Sequence, residues 1–160
     1  MDRYFEKISF EQFKKDIKDD RELYNVYELP IRKTVSSAGY DFIAINDIIL
    51  EPNKTVKIPT GYKVKFMGDE VLLIIIRSSL GFKYNIRMMN QVGVIESDYY
   101  NNIDNEGHMW VALKNEGDKT LTIKKGESYV QGIFMKFLTC GDLPSQVRIG
   151  GIGSTNKKEN

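Results

Sequence analysis

The chain has 160 residues, 41% hydrophobic and 28% charged, with a formal net charge of +1. That length suits one domain burying roughly two thirds of its unfolded surface, and the balance excludes a disordered chain and any bulk attraction to nucleic acid or membrane. One Cys (Cys140) and one His (His108) exclude an intrachain disulfide and leave no ligand set for zinc.

Met1 to Phe10 alternates charged and aromatic residues without an apolar core, so no signal peptide is expected. Ser9 to Asp20 is predicted as an amphipathic helix. Ser9 with Gln12 fits a capping box, and Phe10, Phe13 and Ile17 share one face. After Pro30 the pattern changes to short strands: Tyr40 to Ile45, Thr55 to Ile58, Tyr62 to Phe66 and Glu70 to Ile76. Turn signals such as Asn46–Asp47, Pro59–Thr60–Gly61 and Gly68–Asp69 separate them. Val71 to Ile76 is the most apolar run and far too short to span a bilayer. Met109 to Leu113, Thr120 to Ile123 and Tyr129 to Phe137 complete the set. Short strands at this spacing predict an all-β sandwich, barrel or jelly roll. The expected organisation is a helical extension over 1–24, a β domain over 25–149, and a glycine-rich segment and tail over 150–160. With a lone Cys suited to a reducing compartment, a cytoplasmic protein is expected.

Five segments hold residues that suit chemistry. Ala38–Gly39–Tyr40–Asp41 opens a strand with a small residue, a glycine and an acid. Arg77–Ser78–Ser79 ends a strand with a guanidinium fork and two hydroxyls, donors that suit phosphate oxygens but equally make a plain surface turn. Gly93 to Tyr99 is a short apolar strand ending in Glu96, Asp98 and an aromatic ring, and a loop rich in Asn and Asp follows. A carboxylate beside a flat ring at a strand end can orient a water against a ligand. Gly126 to Phe134 puts an amide, Gln131, inside an apolar strand, either facing outward or lining a site. Gly150 to Thr155 is a glycine run ending in two hydroxyls. It can wrap an anion or be an open tail, and it lacks the Lys and helix of a P-loop.

In their order and spacing these segments resemble the five motifs of the trimeric dUTP diphosphatases (dUTPases), over roughly Leu29 to Asn156. Phe82–Lys83 and Asn90–Gln91 fall where that family has a basic residue and a polar uracil contact. The N-terminal helix and the loop Asn101–Gly107 resemble features of a bacterial or phage subgroup.

The resemblance implies a jelly-roll-like protomer in a homotrimer, with sites at subunit interfaces and the C-terminal motif reaching over a neighbour's site as a lid. It implies hydrolysis of dUTP to dUMP and pyrophosphate. By the same resemblance Glu96 orients and deprotonates the attacking water, and Tyr99 stacks on the deoxyribose and excludes a 2′-hydroxyl. Asn90 and the backbone of Gly93, Val94 and Ile95 read uracil, with Trp110 across the hairpin. Arg77, Ser78, Ser79 and Gln131 hold phosphates. Arg148, Ser154 and Thr155 close over the outer ones, and Ile152 covers the base. Asp41 acts through water on Mg²⁺ carried by the triphosphate. A mismatched base leaves a buried polar group unpaired, at roughly 1–3 kcal/mol.

The chain also departs from the family pattern. Glu96 stands where the family has Asp, Ile152 where an aromatic covers uracil, and Ser128 where Arg is common. The spacing of Arg148 to the glycines differs as well. These departures leave two further readings beside hydrolysis: a dUTP-binding relative that regulates a protein partner, and a dCTP deaminase, which shares the architecture and an Arg-Ser-Ser motif. A structural jelly-roll protein is the non-nucleotide reading.

Overall fold

A computed structural model describes residues 3–141, 144, 148 and 150–152. In chain order the elements are β1 (Tyr4–Lys7), α1 (Phe10–Asp16), α2 (Arg21–Val26), β2 (Tyr40–Ile43), β3 (Ile48–Leu50), β4 (Thr55–Pro59), β5 (Tyr62–Lys65) and β6 (Glu70–Ile76). There follow α3 (Ser78–Tyr84), β7 (Ile86–Met88), β8 (Gly93–Glu96), a 3₁₀ turn at Ser97–Tyr99, β9 (Trp110–Asn115), β10 (Leu121–Ile123) and β11 (Ser128–Lys136). The named strands pair antiparallel, which suits short elements joined by tight turns. One sheet has the order β2-β11-β6-β8 and a second β4-β9-β7, with two-stranded pairs β1-β5 and β10-β3 beside them.

The sheets share one core. Phe42, Leu72, Ile74 and Val130 from the first join Ile58, Ile86, Met88, Val111 and Leu113 from the second in a single buried cluster. β6 shows why. Its apolar run alternates inward and partly covered positions, so Leu72 and Ile74 fill the interior while Leu73 and Ile75 face the other side. The expected β-rich sandwich is thus the observed architecture. Among the described residues no helix is long and apolar enough to cross a membrane.

The N-terminal helix differs from its expected extent. α1 stops at Asp16, and a second helix starts after Asp20, whose carboxylate accepts the Leu23 N–H at 2.9 Å. A short acid that caps backbone donors restarts a helix rather than continuing one. Ser9 caps α1 as predicted, accepting the Gln12 N–H at 3.2 Å. The return half of the capping box is not made by Gln12, whose amide goes to Asp16 at 2.6 Å. Glu106, from the loop before β9, accepts the Ser9 N–H at 2.9 Å instead and also holds its hydroxyl. Phe13 is buried, and Phe10, Tyr24, Tyr27 and Tyr62 continue an aromatic stack into the body. β1, unforeseen in the sequence, pairs with β5 and buries Phe5 in the core.

His108 is wholly buried behind α1. Its Nε2 accepts the Gly61 N–H at 2.9 Å, so Nδ1 carries the proton and donates to Asp16 at 2.6 Å. Burial holds its pKa below the usual value, against an opposing pull from Asp16. The folded chain therefore refuses a proton that the unfolded chain accepts below about pH 6.5. Stability is full above that pH and falls as the pH drops through it. The paired carboxylates Glu70, Asp47 and Asp69, held below their usual values by Arg3, Lys124 and Lys136, add their losses only near pH 4. Since the chain has one His, Tm measured against pH should drop between about pH 6.5 and 5, and His108→Gln should flatten that stretch of the curve.

Candidate active site

The hairpin between β7 and β8 turns tightly. Gln91 sits in the left-handed region (φ 60°), its N–H donating to Met88 O at 3.1 Å, and the Met89 N–H ties the turn to Ala112 of β9 at 2.9 Å. Among the described residues β8 then pairs with β6 alone, Gly93 opposite Ile74 and Glu96 opposite Val71. As a sheet edge it keeps one row of backbone N–H and C=O groups unclaimed by a strand. That row borders a cavity of about 290 Å³ floored by Ile74, Met88 and Met109, with Asn90 and Trp110 on its walls.

The 3₁₀ turn swings Tyr99 under the same cavity. Its ring is buried, and its hydroxyl donates to His108 O at 3.1 Å while accepting from Asn105 Nδ2 at 2.9 Å. Burial holds the phenol above its usual pKa, so it stays protonated and donates. Glu96 stands at the rim with 57% of its side chain exposed. Arg148 pairs with Glu96 and with Asp98 (2.9 Å to Asp98) and lies 5.7 Å from the Tyr99 ring centroid. Ile152 also reaches the cavity but is 81% exposed.

A second cluster forms around Arg77. β11 pairs Gln131 with Asp41 on β2 and with Ile75 on β6, so both polar side chains stand beside the end of β6. Arg77 Nε is 3.7 Å from the buried Asp41 carboxylate, and Nη1 donates to Ser128 O at 3.4 Å. Ser78 and Ser79, expected at a strand end, form the exposed first turn of α3. Gly39 lies against the Gln131 side chain. A Cβ there would lie 2.2 Å from Gln131 Oε1.

The sequence-predicted residues therefore divide. Asn90, Gly93, Val94, Ile95, Glu96, Tyr99, Trp110, Arg148 and Ile152 surround one cavity. Asp41, Arg77, Ser78, Ser79 and Gln131 gather at the other end of β6. Glu96 lies opposite Val71, and Arg77 follows Ile76, so strand geometry separates the two by about 20 Å. Ser154 and Thr155 lie outside the described residues. Sequence reasoning missed the apolar floor, whose residues are scattered along the chain, and the pairing of Asp98 with Arg148. It also missed Asn105 behind Tyr99, although the Asn-rich loop was visible.

A family model described as dUTPase matches residues 26–155. A deoxyuridine 5′-triphosphate nucleotidohydrolase of Lactococcus lactis subsp. lactis is 45% identical over 130 residues, covering 79% of this chain and 87% of that protein. The crystal structure of a dUTPase from Streptococcus mutans matches with a TM-score of 0.70 at 38% identity, over 86% of this chain and 98% of that one. A dUTPase of the S. aureus phage phi11, described with a structural Mg(II) ion, shares the fold at a TM-score of 0.66 and 18% identity, over 92% of this chain and 97% of that one.

The Gly39–Gln131 contact has a direct consequence. Gly39→Ala should swing the Gln131 amide aside and cost less than about 1 kcal/mol in denaturant unfolding, because the atom it meets is the far end of a flexible side chain. Gly39→Ala combined with Gln131→Ala should recover most of that loss, because the clashing amide is gone.

Proposed function

The chain belongs to the dUTPase family, and we propose that it hydrolyses dUTP to dUMP and pyrophosphate at a site shared between copies of the chain. The separation of the two clusters carries the second half of this reading. The ligand cavity and the water-orienting carboxylate sit at one end of β6, the phosphate donors at the other, about 20 Å away. One copy's cavity meets another copy's Arg77 cluster in a closed ring of three, the assembly that the family resemblance implies. The names of the matching relatives favour hydrolysis over the deaminase reading.

In this reading the uracil edge pairs with the open backbone row of β8, and Asn90 adds a side-chain amide. The Tyr99 ring lies against the deoxyribose, where a 2′-hydroxyl has no room. Arg77, Ser78, Ser79 and Gln131 hold phosphate oxygens, and the Asp41–Arg77 pair keeps the guanidinium aimed. Glu96 accepts the proton of the attacking water as the α–β phosphoanhydride bond breaks and pyrophosphate leaves. Arg148 must release Glu96 for this step, and the phosphates offer it a denser negative charge. Ser154 and Thr155 follow it over the outer phosphates, and Ile152 covers the base.

Among the described residues no three His, Cys, Asp or Glu groups converge into a metal cage. Asp41, buried and paired with Arg77, would reach Mg²⁺ only through water, which suits an ion that keeps most of its water and takes its other oxygens from phosphates. When bound there, the ion neutralises charge on the triphosphate and the departing pyrophosphate. The lone Cys suits a reducing compartment, so the cytoplasm is the proposed location.

Pyrophosphate release should be fast with dUTP and Mg²⁺ and slow with dCTP, dTTP and UTP; ammonia release from dCTP would sink the reading. Glu96→Gln should lower kcat by about 10²–10⁴-fold while nucleotide still binds. Arg77→Ala should be as inactive. Exchanging subunits between these two inactive variants should restore measurable turnover, since some mixed sites then hold an intact Glu96 and an intact Arg77. No recovery after verified exchange would refute the shared site.

A further inference from the structure

The Asn- and Asp-rich loop after Tyr99 takes no part in the chemistry above, yet its polar groups are closely matched. Asn102 donates to Tyr99 O (2.9 Å) and to Asn105 Oδ1 (2.8 Å), and its own Oδ1 accepts the N–H of Asp104 (3.0 Å) and Asn105 (3.2 Å). Asn105 Oδ1 also accepts the Gly107 N–H at 3.1 Å, which leaves its Nδ2 to donate to the Tyr99 hydroxyl at 2.9 Å and to His108 O at 3.2 Å. Two donors on one side and an acceptor on the other fix which way that amide points. Tyr99 is thus pinned at the far end of its ring. One residue earlier, Asp104 Oδ2 accepts the N–H of Gly151, in the glycine-rich segment, at 2.8 Å.

We propose that this loop sets sugar specificity: Asn105 is a positioning residue that holds the Tyr99 ring as a rigid gate. The inference rests on the reading of Tyr99 as the sugar gate. A 2′-hydroxyl adds a single oxygen, so a ring that can yield by about 1 Å no longer excludes it. An unpinned ring admits a ribonucleotide even though the ring itself is present.

The test compares kcat/KM for dUTP and UTP in the full-length protein with Mg²⁺. Asn105→Ala and Tyr99→Phe should each lower the dUTP/UTP ratio by about tenfold or more, chiefly through a rise for UTP. Tyr99→Phe also removes the bond to His108 O, so its loss should be the larger, and the double variant should fall no further than Tyr99→Phe. Equal losses for dUTP and UTP in Asn105→Ala would mark a merely structural residue and overturn the positioning role. Tyr99→Ala separates the layers. If it collapses the ratio while Asn105→Ala does not, this inference alone fails. If it too leaves the ratio intact, the sugar-gate reading fails with it.

Discussion

The register of β8 on β6 is the constraint on which the rest of the site depends. Gly93 faces Ile74 closely enough that a Cβ would come within 3.2 Å of the Ile74 Cβ, so the strands approach where the cavity floor must form. That register places Glu96 against Val71, at one end of β6, and leaves Arg77 to leave the other end. A slip of one residue would turn Glu96 and Ile95 to opposite faces and carry Tyr99 away from its pocket. Because β8 is an edge, the same pairing that anchors it leaves its outer backbone groups open to a base.

Both half-sites pair an arginine with carboxylates, and the Arg148 end keeps one negative charge in excess. Arg148 sits between Glu96 and Asp98, and Arg77 beside Asp41. The Arg148 pairs involve carboxylates that are more than half exposed, so exchanging them for phosphate costs little. The Asp41 carboxylate is nearly buried, and its pairing is the more persistent one. This difference suits a fixed phosphate cradle at one end and a movable arginine at the other. In a chain of net charge +1 these local groups, rather than a global field, must attract a triphosphate.

The departures from the family pattern become specific once placed. Glu96 is long enough to reach Arg148 from the rim, so its extra methylene is taken up by an ion pair rather than by the core. Ile152 stays largely in solvent and offers the base apolar cover without a ring. Support for the site comes from far along the chain: Glu106 holds Ser9, His108 holds Asp16, and the loop between Tyr99 and β9 rests on both. The N-terminal segment is therefore a brace for the sugar end of the cavity.

What could be read from the residues alone was local. The Ser9 cap, the turn at Pro59–Thr60–Gly61 and the apolar alternation of β6 depend on atoms a few positions apart, and each appears in the fold. The five motifs were legible for the same reason, since each keeps its chemistry within a short run. β1, β3 and β7 were not legible, because three or four residues make a strand only when a distant partner accepts their hydrogen bonds. The break between α1 and α2 and the start of α3 at Ser78 turned on which backbone donors found a carboxylate or a helical turn. Which motifs stand together was decided by tertiary structure alone. Strand register divides them between the two ends of β6, and side chains up to 97 residues apart fix the loop behind Tyr99. Pairings of that range leave no mark on local sequence, because their energy exists only once the chain has closed on itself.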